Sequence, residues 1–362
     1  MRIVPVEYAE NLHLAEDVYD LSGRVLVKKG ASVSSRTVTQ LKNAGVFMVY
    51  VNDRFSQNQL TPPISTDLRL DITRELRNMY DILRLRAEGG REVGESTLRP
   101  LNHVLELADH VLYELKNNPR QYLSFTDIKI REIYTVSHSI NVAILALLLG
   151  IDAGIDHHRY KDLFLGALFH DIGMNFIDES VFMKNGKLDV QEFLRIKEHP
   201  QKGYELFKDF SFASAYMKGI VLQHHERVDG TGYPNQTPGS EIQPLAKIVA
   251  VADTYDAMTS DRSYSRAVSP LEAMENLIKD SRTHFEPHLV DLFIKKIVPY
   301  PEGCLVRLSS EEPALVVRLN EKDPLRPVVA PIDPVSKKMR PAIIDLAFDK
   351  ELRIERIQYE MP

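Results

Sequence analysis

The segment SHSINVAILALLLG, residues 137–150, decides the fold class. It is apolar nearly all round, and a helix without a polar face lies buried in the core of a domain. Its apolar run from Val142 to Ile151 is too short for a membrane span, which needs about 20 such residues. His138 stands near the start of the segment. The segment therefore predicts a buried core helix with an imidazole at one end.

Helical patterns flank this segment on both sides. Upstream, apolar residues recur at helical spacing in two stripes, one at Leu68, Ile72, Leu76 and Met79 and the other from Leu101 to Leu115. We expect this pair to form a helical hairpin, either a dimer interface or the outer layer of the main domain. Downstream, four stretches predict further helices: YKDLFLGALF (160–169), VQEFLRIKEHPQKGYELF (190–207), SAYMKGIVLQ (214–223) and PLAKIVAVADTYDAMTS (244–260).

The two ends of the chain have a different character. The N-terminal residues predict short strands and one helix capped by Ser34 or Ser35. The C-terminal residues contain short β-rich runs separated by Pro, Asp and Lys. The predicted fold class is therefore mainly α, and its parts are a small α+β unit at 1–60, a helical hairpin and linker at 61–119, an all-α core at 120–298 and a small β-rich extension at 299–362.

Composition excludes several classes of function. The chain of 362 residues has 45 Lys and Arg against 51 Asp and Glu, a formal net charge of -6, so it lacks the excess of base that binds a nucleic-acid polymer. Its one cysteine, Cys304, excludes an intrachain disulfide and a thiolate metal cluster. The N-terminus has early acids and no apolar signal core. We therefore expect a cytoplasmic protein in a reducing compartment.

Histidines and acids recur at or near the ends of the predicted core helices. Side chains from separate helices of a bundle can converge on one point, as in di-metal carboxylate proteins. Successive residues inside a helix point about 100° apart, so such a pair rarely serves one ion, whereas neighbours at a helix end can serve two adjacent ions. Nitrogen and oxygen donors without sulfur suit iron or manganese, and zinc less well. The predicted ligands of such a binuclear site are His138, His170, Asp171, His199, His224, His225 and Asp253.

Chance placement is the competing explanation, because the chain has 12 histidines. The adjacent pair His157 and His158 stands in a polar stretch without an apolar frame, and we interpret it as surface. We interpret four more as packing or surface residues: His103, His110, His284 and His288. The predicted ligands differ because they form an ordered series on separate helices, which favours a metal site over incidental histidines.

Three motifs carry a family resemblance: HDIG (170–173), HHERVDGTGYP (224–234) and ADTYDAMTSDRSY (252–264). In this order they resemble the HD-GYP subgroup of the HD phosphohydrolase superfamily, over residues 120–298. The resemblance implies an all-α domain with two or three iron or manganese ions that hydrolyses cyclic di-GMP, a bacterial second messenger. It implies that the seven residues above are metal ligands, with Asp171 bridging and, together with Arg262, catalytic. Trinuclear members have a glutamate where this chain has Tyr134, which favours two metals.

The chemistry predicted for such a site is hydrolysis of a phosphodiester. A hydroxide that bridges two metals is nucleophilic at neutral pH, because metals lower the pKa of bound water. A nearby cation takes up the charge that develops on the phosphoryl oxygens. The resemblance gives this phosphate contact to Arg262, with Arg266 close by. Gly232 lets the backbone approach a ligand, Pro234 fixes the turn, and Tyr233 is predicted to line the nucleotide pocket.

Two positions depart from the family pattern. Met174 follows HDIG where the family usually has a lysine, and Ser265 stands at a position that is often basic. The pocket therefore lacks up to two positive charges, and Lys184 and Lys187 are candidate replacements. Loss of one preorganised charge contact can cost on the order of 10²–10³ in rate.

Three functions are consistent with these residues. The first is a phosphodiesterase that cuts cyclic di-GMP to linear pGpG, to GMP, or to both. The second is a weakly active or inactive metal-bearing module that binds cyclic di-GMP or a protein partner as a sensor. The third is a hydrolase of another cyclic dinucleotide or related phosphoester. The GYP loop is also a candidate contact for a diguanylate cyclase domain, and the helical hairpin for a second copy of the chain.

Overall fold

The computed structural model describes most of the chain, and its described residues form two compact units. One unit contains residues 2–53 and 294–359, and the other contains residues 63–117 and 134–293. The predicted fold class, mainly α with small β-containing parts, is confirmed. The described residues are 2–20, 24–44, 46, 48–53, 63–87, 95–117, 134–178, 181, 184, 186, 189–208, 210–260, 268–320, 323–333 and 335–359.

The smaller unit begins with short strands and one helix: β1 (Arg2–Pro5), β2 (His13–Leu14), β3 (Val18–Tyr19), β4 (Val25–Val27), α1 (Ser35–Asn43) and β5 (Met48–Asn52). Strand β5 pairs with β1 and β2, and β3 pairs with β4, all antiparallel. Helix α1 begins after Ser34, whose side chain accepts a hydrogen bond from the backbone N–H of Thr37, as predicted. Val4 and Val49 are buried in a small core, against which Tyr359 packs.

The C-terminal part of this unit is one antiparallel sheet of five strands: β6 (Leu305–Leu308), β7 (Pro313–Arg318), β8 (Val328–Pro331), β9 (Ile344–Asp345) and β10 (Ile354–Ile357). The strand order is β10-β6-β7-β8-β9. Leu305 lies opposite Leu315 in the register of β6 and β7, and both are buried together with Ile332. Apolar side chains on one face of the sheet thus form its core, as the β-rich sequence pattern predicts.

The larger unit is helical. The helices are α2 (Thr66–Ala87), α3 (Glu95–Asn117), α4 (Tyr134–Asp152), α5 (Tyr160–Leu168), α6 (Val190–Ile196), α7 (His199–Phe207), α8 (Ala215–Gln223), α9 (Pro244–Thr259), α10 (Pro270–Asp280) and α11 (Pro287–Lys296), which runs past the unit's last residue, Phe293. The helices α2 and α3 pack against each other as the predicted hairpin, and the predicted stripe from Leu68 to Met79 is buried. Helix α4 packs against both α5 and α9, and α5 packs against α8, which forms the core around the candidate ligands.

Helix α4 is the buried helix that the opening segment predicts. Of the helices in the described part of the chain, it alone is long and apolar enough to cross a membrane, with a mean hydropathy of 1.5 over Thr135–Asp152. However, 78% of that window is buried inside the protein. Its apolar surface is therefore covered by neighbouring helices, as in a core helix.

The prediction of one continuous helix over residues 190–207 is wrong. The structure divides this stretch into α6 and α7, with the break at Lys197 and Glu198. Pro200 explains the break, because proline lacks an N–H and fits the first turn of a helix better than its interior. The break places His199 at the first residue of α7, where its side chain can turn towards the ends of other helices.

Candidate metal centre

The structure brings all seven predicted ligands together in the helical unit. His138 lies in the second turn of α4, and Asp253 lies in α9, which packs against α4. The other five stand where helices begin or end: His170 and Asp171 just after α5, His199 at the start of α7, and His224 and His225 just after α8. Adjacent side chains can turn towards one centre at such points, because the regular helical rotation stops there.

Asp171 lies at the centre of this cluster. Its Oδ1 is 3.1 Å from Nε2 of His199 and 3.8 Å from Nε2 of His224. Its Oδ2 is 3.5 Å from Nε2 of His170 and 3.8 Å from Nε2 of His138. Because the two oxygens face two different pairs of imidazoles, this carboxylate has the arrangement of a bridge between two ions.

The donor atoms form two overlapping groups that share this carboxylate. Within each group, one donor atom per residue lies within 4.8 Å of the others. Asp253 adds a second carboxylate, with Oδ1 3.0 Å from Nε2 of His138 and Oδ2 3.7 Å from Nδ1 of His225. Two adjacent sets of nitrogen and oxygen donors fit a pair of divalent ions. The first group is Asp171, His199, His224 and His225, and the second is His138, His170 and Asp171.

Backbone carbonyl groups orient three of the imidazoles. Nδ1 of His170, His199 and His224 lies 2.7, 2.8 and 3.0 Å from the carbonyl oxygen three residues earlier. An Nδ1–H that donates to a carbonyl leaves the lone pair on Nε2 for a metal. Nε2 of His170 is buried and makes no hydrogen bond within the described residues. Nε2 of His199 and Nε2 of His224 face each other at 3.2 Å, so the donor atoms fit a cation placed between them.

The pKa values follow from burial and from the neighbouring charges. Burial by itself raises the pKa of Asp171, but the adjacent imidazolium holds that pKa well below its usual value. Burial opposes charge on His138, but hydrogen bonds to Asp253 and Asp256 outweigh it and raise the pKa to about 9. Burial lowers the pKa of His225 to about 3. In the metal-free protein at neutral pH, Asp171 is therefore ionised, His138 is protonated and His225 is neutral.

Metal uptake is expected to release protons and to strengthen as pH rises. A metal must displace a proton from His138, whose pKa is raised from 6.5 to about 9, so this cost is present at neutral pH and disappears above about pH 9. We expect the apparent affinity for Mn²⁺ to rise by up to about 10-fold per pH unit over this window, with at least one proton released per chain at neutral pH. Titration calorimetry in buffers of different ionisation enthalpy measures both. A pH-independent affinity without proton release would contradict the expectation.

Asp256, which was not among the residues predicted from the sequence, orients His138. Its Oδ2 is 2.7 Å from Nδ1 of His138, and its Oδ1 accepts a 2.9 Å hydrogen bond from Nδ2 of Asn141. Asn141 in turn accepts a hydrogen bond from the guanidinium of Arg69 on α2. A carboxylate behind a ligand histidine fixes its tautomer and raises its basicity. A signal was available, because Asp256 follows Asp253 by three residues on α9 and therefore points to the same side.

Asp256→Asn is expected to weaken metal binding about 10- to 100-fold, because the amide replaces the anionic partner of His138. Competition with a chromogenic chelator measures the affinity, and thermal unfolding of the metal-free variant shows that it folds. Asp291→Asn, an exposed position on α11, is the matched control and should bind as the wild type does. Equal affinities of Asp256→Asn and the wild type would show that Asp256 does not support the site.

The loop after His225 is held by a close backbone approach and by a buried glutamate. A Cβ at Gly232 would lie 2.4 Å from a backbone nitrogen, so this turn excludes a side chain there. Glu226, which is 3% exposed, accepts hydrogen bonds of 2.8 and 3.0 Å from two backbone N–H groups of the loop. The loop places the ring of Tyr233, before a cis peptide to Pro234, 4.7 Å from the ring of His225. The predicted nucleotide-binding tyrosine thus lies beside the donor cluster.

Of the cationic side chains predicted for the substrate pocket, the structure describes only that of Lys184. Lys184 forms an ion pair with Glu192, with its Nζ 2.7 Å from both carboxylate oxygens. Met174 lies half-buried in the 3-10 helix Ile172–Phe176 that follows Asp171. Lys184 is therefore already paired, and Met174 adds no charge near the HD pair. The predicted pocket residues outside the described part of the chain are Arg262, Ser265, Arg266 and Lys187.

Comparison with known proteins shows the family to which this chain belongs. Residues 107–289, half of the chain, match the family model of the HD domain. The chain therefore belongs to the HD domain family. The resemblance to the HD-GYP subgroup, which rests on the HDIG and GYP motifs, is confirmed.

Two curated relatives are bacterial proteins named as phosphodiesterases. Cyclic di-GMP phosphodiesterase PA4108 of Pseudomonas aeruginosa is 34% identical over 227 residues, which are 63% of this chain and 55% of that protein. The 3′3′-cGAMP-specific phosphodiesterase 2 of Vibrio cholerae is 36% identical over 127 residues, 35% of this chain and 24% of that protein. The chain thus spans about half the length of the first relative and less of the second.

The solved structure of Bd1817, a HDG“Y”P protein from Bdellovibrio bacteriovorus, covers 81% of this chain and 97% of its own, at 16% identity and a TM-score of 0.48.

Proposed function

We propose that this protein is a metal-dependent phosphodiesterase that hydrolyses cyclic di-GMP to linear pGpG, to GMP, or to both. The observation that carries the proposal is the position of Asp171 between two groups of imidazole donors. Relatives named as phosphodiesterases of cyclic dinucleotides support this substrate class. The nitrogen and oxygen donors favour Fe²⁺ or Mn²⁺ over Zn²⁺ as the two ions.

The chain's own residues supply a rigid frame for this reaction. Two bound divalent ions would lower the pKa of water and neutralise charge on a phosphoryl group. Asp171 and Asp253 would hold the ions as a pair, and the imidazoles fixed through Nδ1 would need little reorganisation during the reaction. His225 is the most exposed of the seven residues, at 26%, whereas His138 is 1% exposed. The substrate is therefore expected to approach from the side of His225 and Tyr233.

A hydrolase of another cyclic dinucleotide is the second candidate, because one relative is named for 3′3′-cGAMP. The metal centre would be the same, since both substrates present phosphodiesters to it. The two candidates differ in the base contacts, which the GYP loop would make around Tyr233. The sensor function is favoured by Met174, since a missing charge lowers turnover more than it lowers metal binding.

Turnover on both dinucleotides tests these alternatives. Protein purified without oxygen is reconstituted with Fe²⁺ or Mn²⁺, its metal content is measured, and cyclic di-GMP and 3′3′-cGAMP are incubated with it in parallel. Chromatography separates the products. We expect metal-dependent formation of pGpG or GMP that a chelator abolishes. Faster cleavage of 3′3′-cGAMP would show that cyclic di-GMP is not the preferred substrate. If metal-loaded protein left both dinucleotides intact, the hydrolase proposal would be contradicted and the sensor function would be favoured.

A further inference from the structure

The site lacks the lysine expected directly after HDIG, because Met174 fills that position. Lys184, a candidate replacement, is paired with Glu192. Phosphate groups are bound most strongly by charged donors, whose hydrogen bonds are about twice as strong as those of neutral donors. A cyclic dinucleotide carries two phosphates, so another cation is expected beside the metal centre.

The side chain of Lys197 lies at the edge of the donor cluster. It follows α6 and stands two residues before His199 in the chain. Its Nζ is 5.1 Å from the centroid of the Tyr233 ring and 4.8 Å from that of the Phe193 ring. Tyr233 in turn lies 4.7 Å from the ring of His225. The ammonium group is therefore on the side of the cluster where the donor imidazoles are most exposed.

Among the described residues, Lys197 contacts aromatic faces and has no carboxylate within ion-pair distance. Its neighbour Lys202 differs, because its Nζ is 3.0 Å from the carboxylate of Glu198. A cation on a ring face is held more weakly than one in a charge-assisted hydrogen bond. Lysine also reorients easily on its four-carbon stem. A phosphate at the site can therefore draw Lys197 away from the rings.

We propose that Lys197 is a substrate-binding residue that takes over the charge missing at Met174. In the ligand complex its Nζ pairs with a phosphate oxygen of the cyclic dinucleotide, and Tyr233 keeps the lysine stem at the entrance. The inference rests on the proposed function. It adds to the substrate-binding site a residue from the break between α6 and α7, which lies outside the HDIG and GYP motifs.

A charge-exchange experiment tests this role with the metal-reconstituted full chain. Lys197→Met is expected to lower kcat/KM for cyclic di-GMP about 10- to 100-fold, chiefly through KM, with unchanged metal content. Lys197→Arg keeps the charge and should retain most of the activity. Adding Met174→Lys to Lys197→Met should restore most of the loss. Lys279→Met, at an exposed position in the last turn of α10, is the matched control and should match the wild type.

Each result separates the role of Lys197 from the proposed function. Wild-type kinetics in Lys197→Met would overturn the inference and leave the phosphodiesterase intact. An equal loss in the Met and Arg variants, or a loss of bound metal, would show that Lys197 acts through structure and would also overturn it. A metal-loaded wild type that neither cleaves nor binds cyclic di-GMP would overturn the proposed function and this inference with it.

Discussion

Asp171→Ala is expected to abolish binding of the proposed metal pair and to lower kcat for cyclic di-GMP by at least about 10³-fold. The carboxylate oxygens of Asp171 reach both donor groups, at 3.1 Å from Nε2 of His199 and 3.5 Å from Nε2 of His170. Without them the imidazoles remain, but the two proposed ions would lose the carboxylate that is placed to bind both. Two cations close together in a buried site then repel each other without compensation.

Metal content after desalting and turnover under the reconstitution conditions measure these two losses in Asp171→Ala. Asp109→Ala is the matched control, because Asp109 pairs with Lys161 at the surface, and this variant should keep both metal and activity. Turnover equal to the wild type in Asp171→Ala would show that the hydrolysis takes place elsewhere or comes from a contaminant.

Gly173→Ala is expected to lower the free energy of unfolding by about 3 kcal/mol or more. A Cβ at Gly173 would lie 1.9 Å from the carbonyl oxygen of His199 and 2.7 Å from the backbone nitrogen of Gly203. Backbone atoms of α7 cannot move aside as the end of a side chain can. The 3-10 helix after Asp171 would have to shift away from α7, which would also separate Asp171 from His199.

Urea unfolding of the metal-free protein, followed by circular dichroism, measures this loss. Gly150→Ala is the control, because its Cβ would meet the end of the Leu163 side chain at 2.5 Å, and that side chain can change its conformation. Gly150→Ala should lower the free energy of unfolding by less than Gly173→Ala does. An unchanged unfolding midpoint for Gly173→Ala would contradict the close approach of the two segments.

Much of the fold was predictable from local pattern. The segment that is apolar on all sides predicted the buried helix α4, and the stripe from Leu68 to Met79 predicted the buried face of α2. The break before His199 was missed, because helical periodicity continues through Lys197 and Glu198 while the proline signal lies one residue beyond His199. Periodicity reports which residues are buried, but it does not report where a helix must end.

The candidate site was predictable where its residues stand in ordered motifs. The structure gathers the seven proposed ligands, whereas His157 and His158, interpreted as surface, are exposed. Asp256 had a signal in the sequence, because it follows Asp253 by three residues on α9. Glu226 and Lys197 had none, because their contacts are made with other segments of the fold. The domain boundaries, the contact with a diguanylate cyclase domain, the homodimer and the cytoplasmic location stay predictions.

The proposed pair of divalent ions, bridged by Asp171, can be tested directly in crystals of the Mn²⁺-reconstituted protein. Anomalous difference maps at the manganese edge would show their positions without reference to activity. We expect two peaks, one beside His199, His224 and His225 and the other beside His138 and His170, with Asp171 in contact with both. Metal that is present in the crystal but lies away from Asp171 would contradict the binuclear centre and the mechanism built on it.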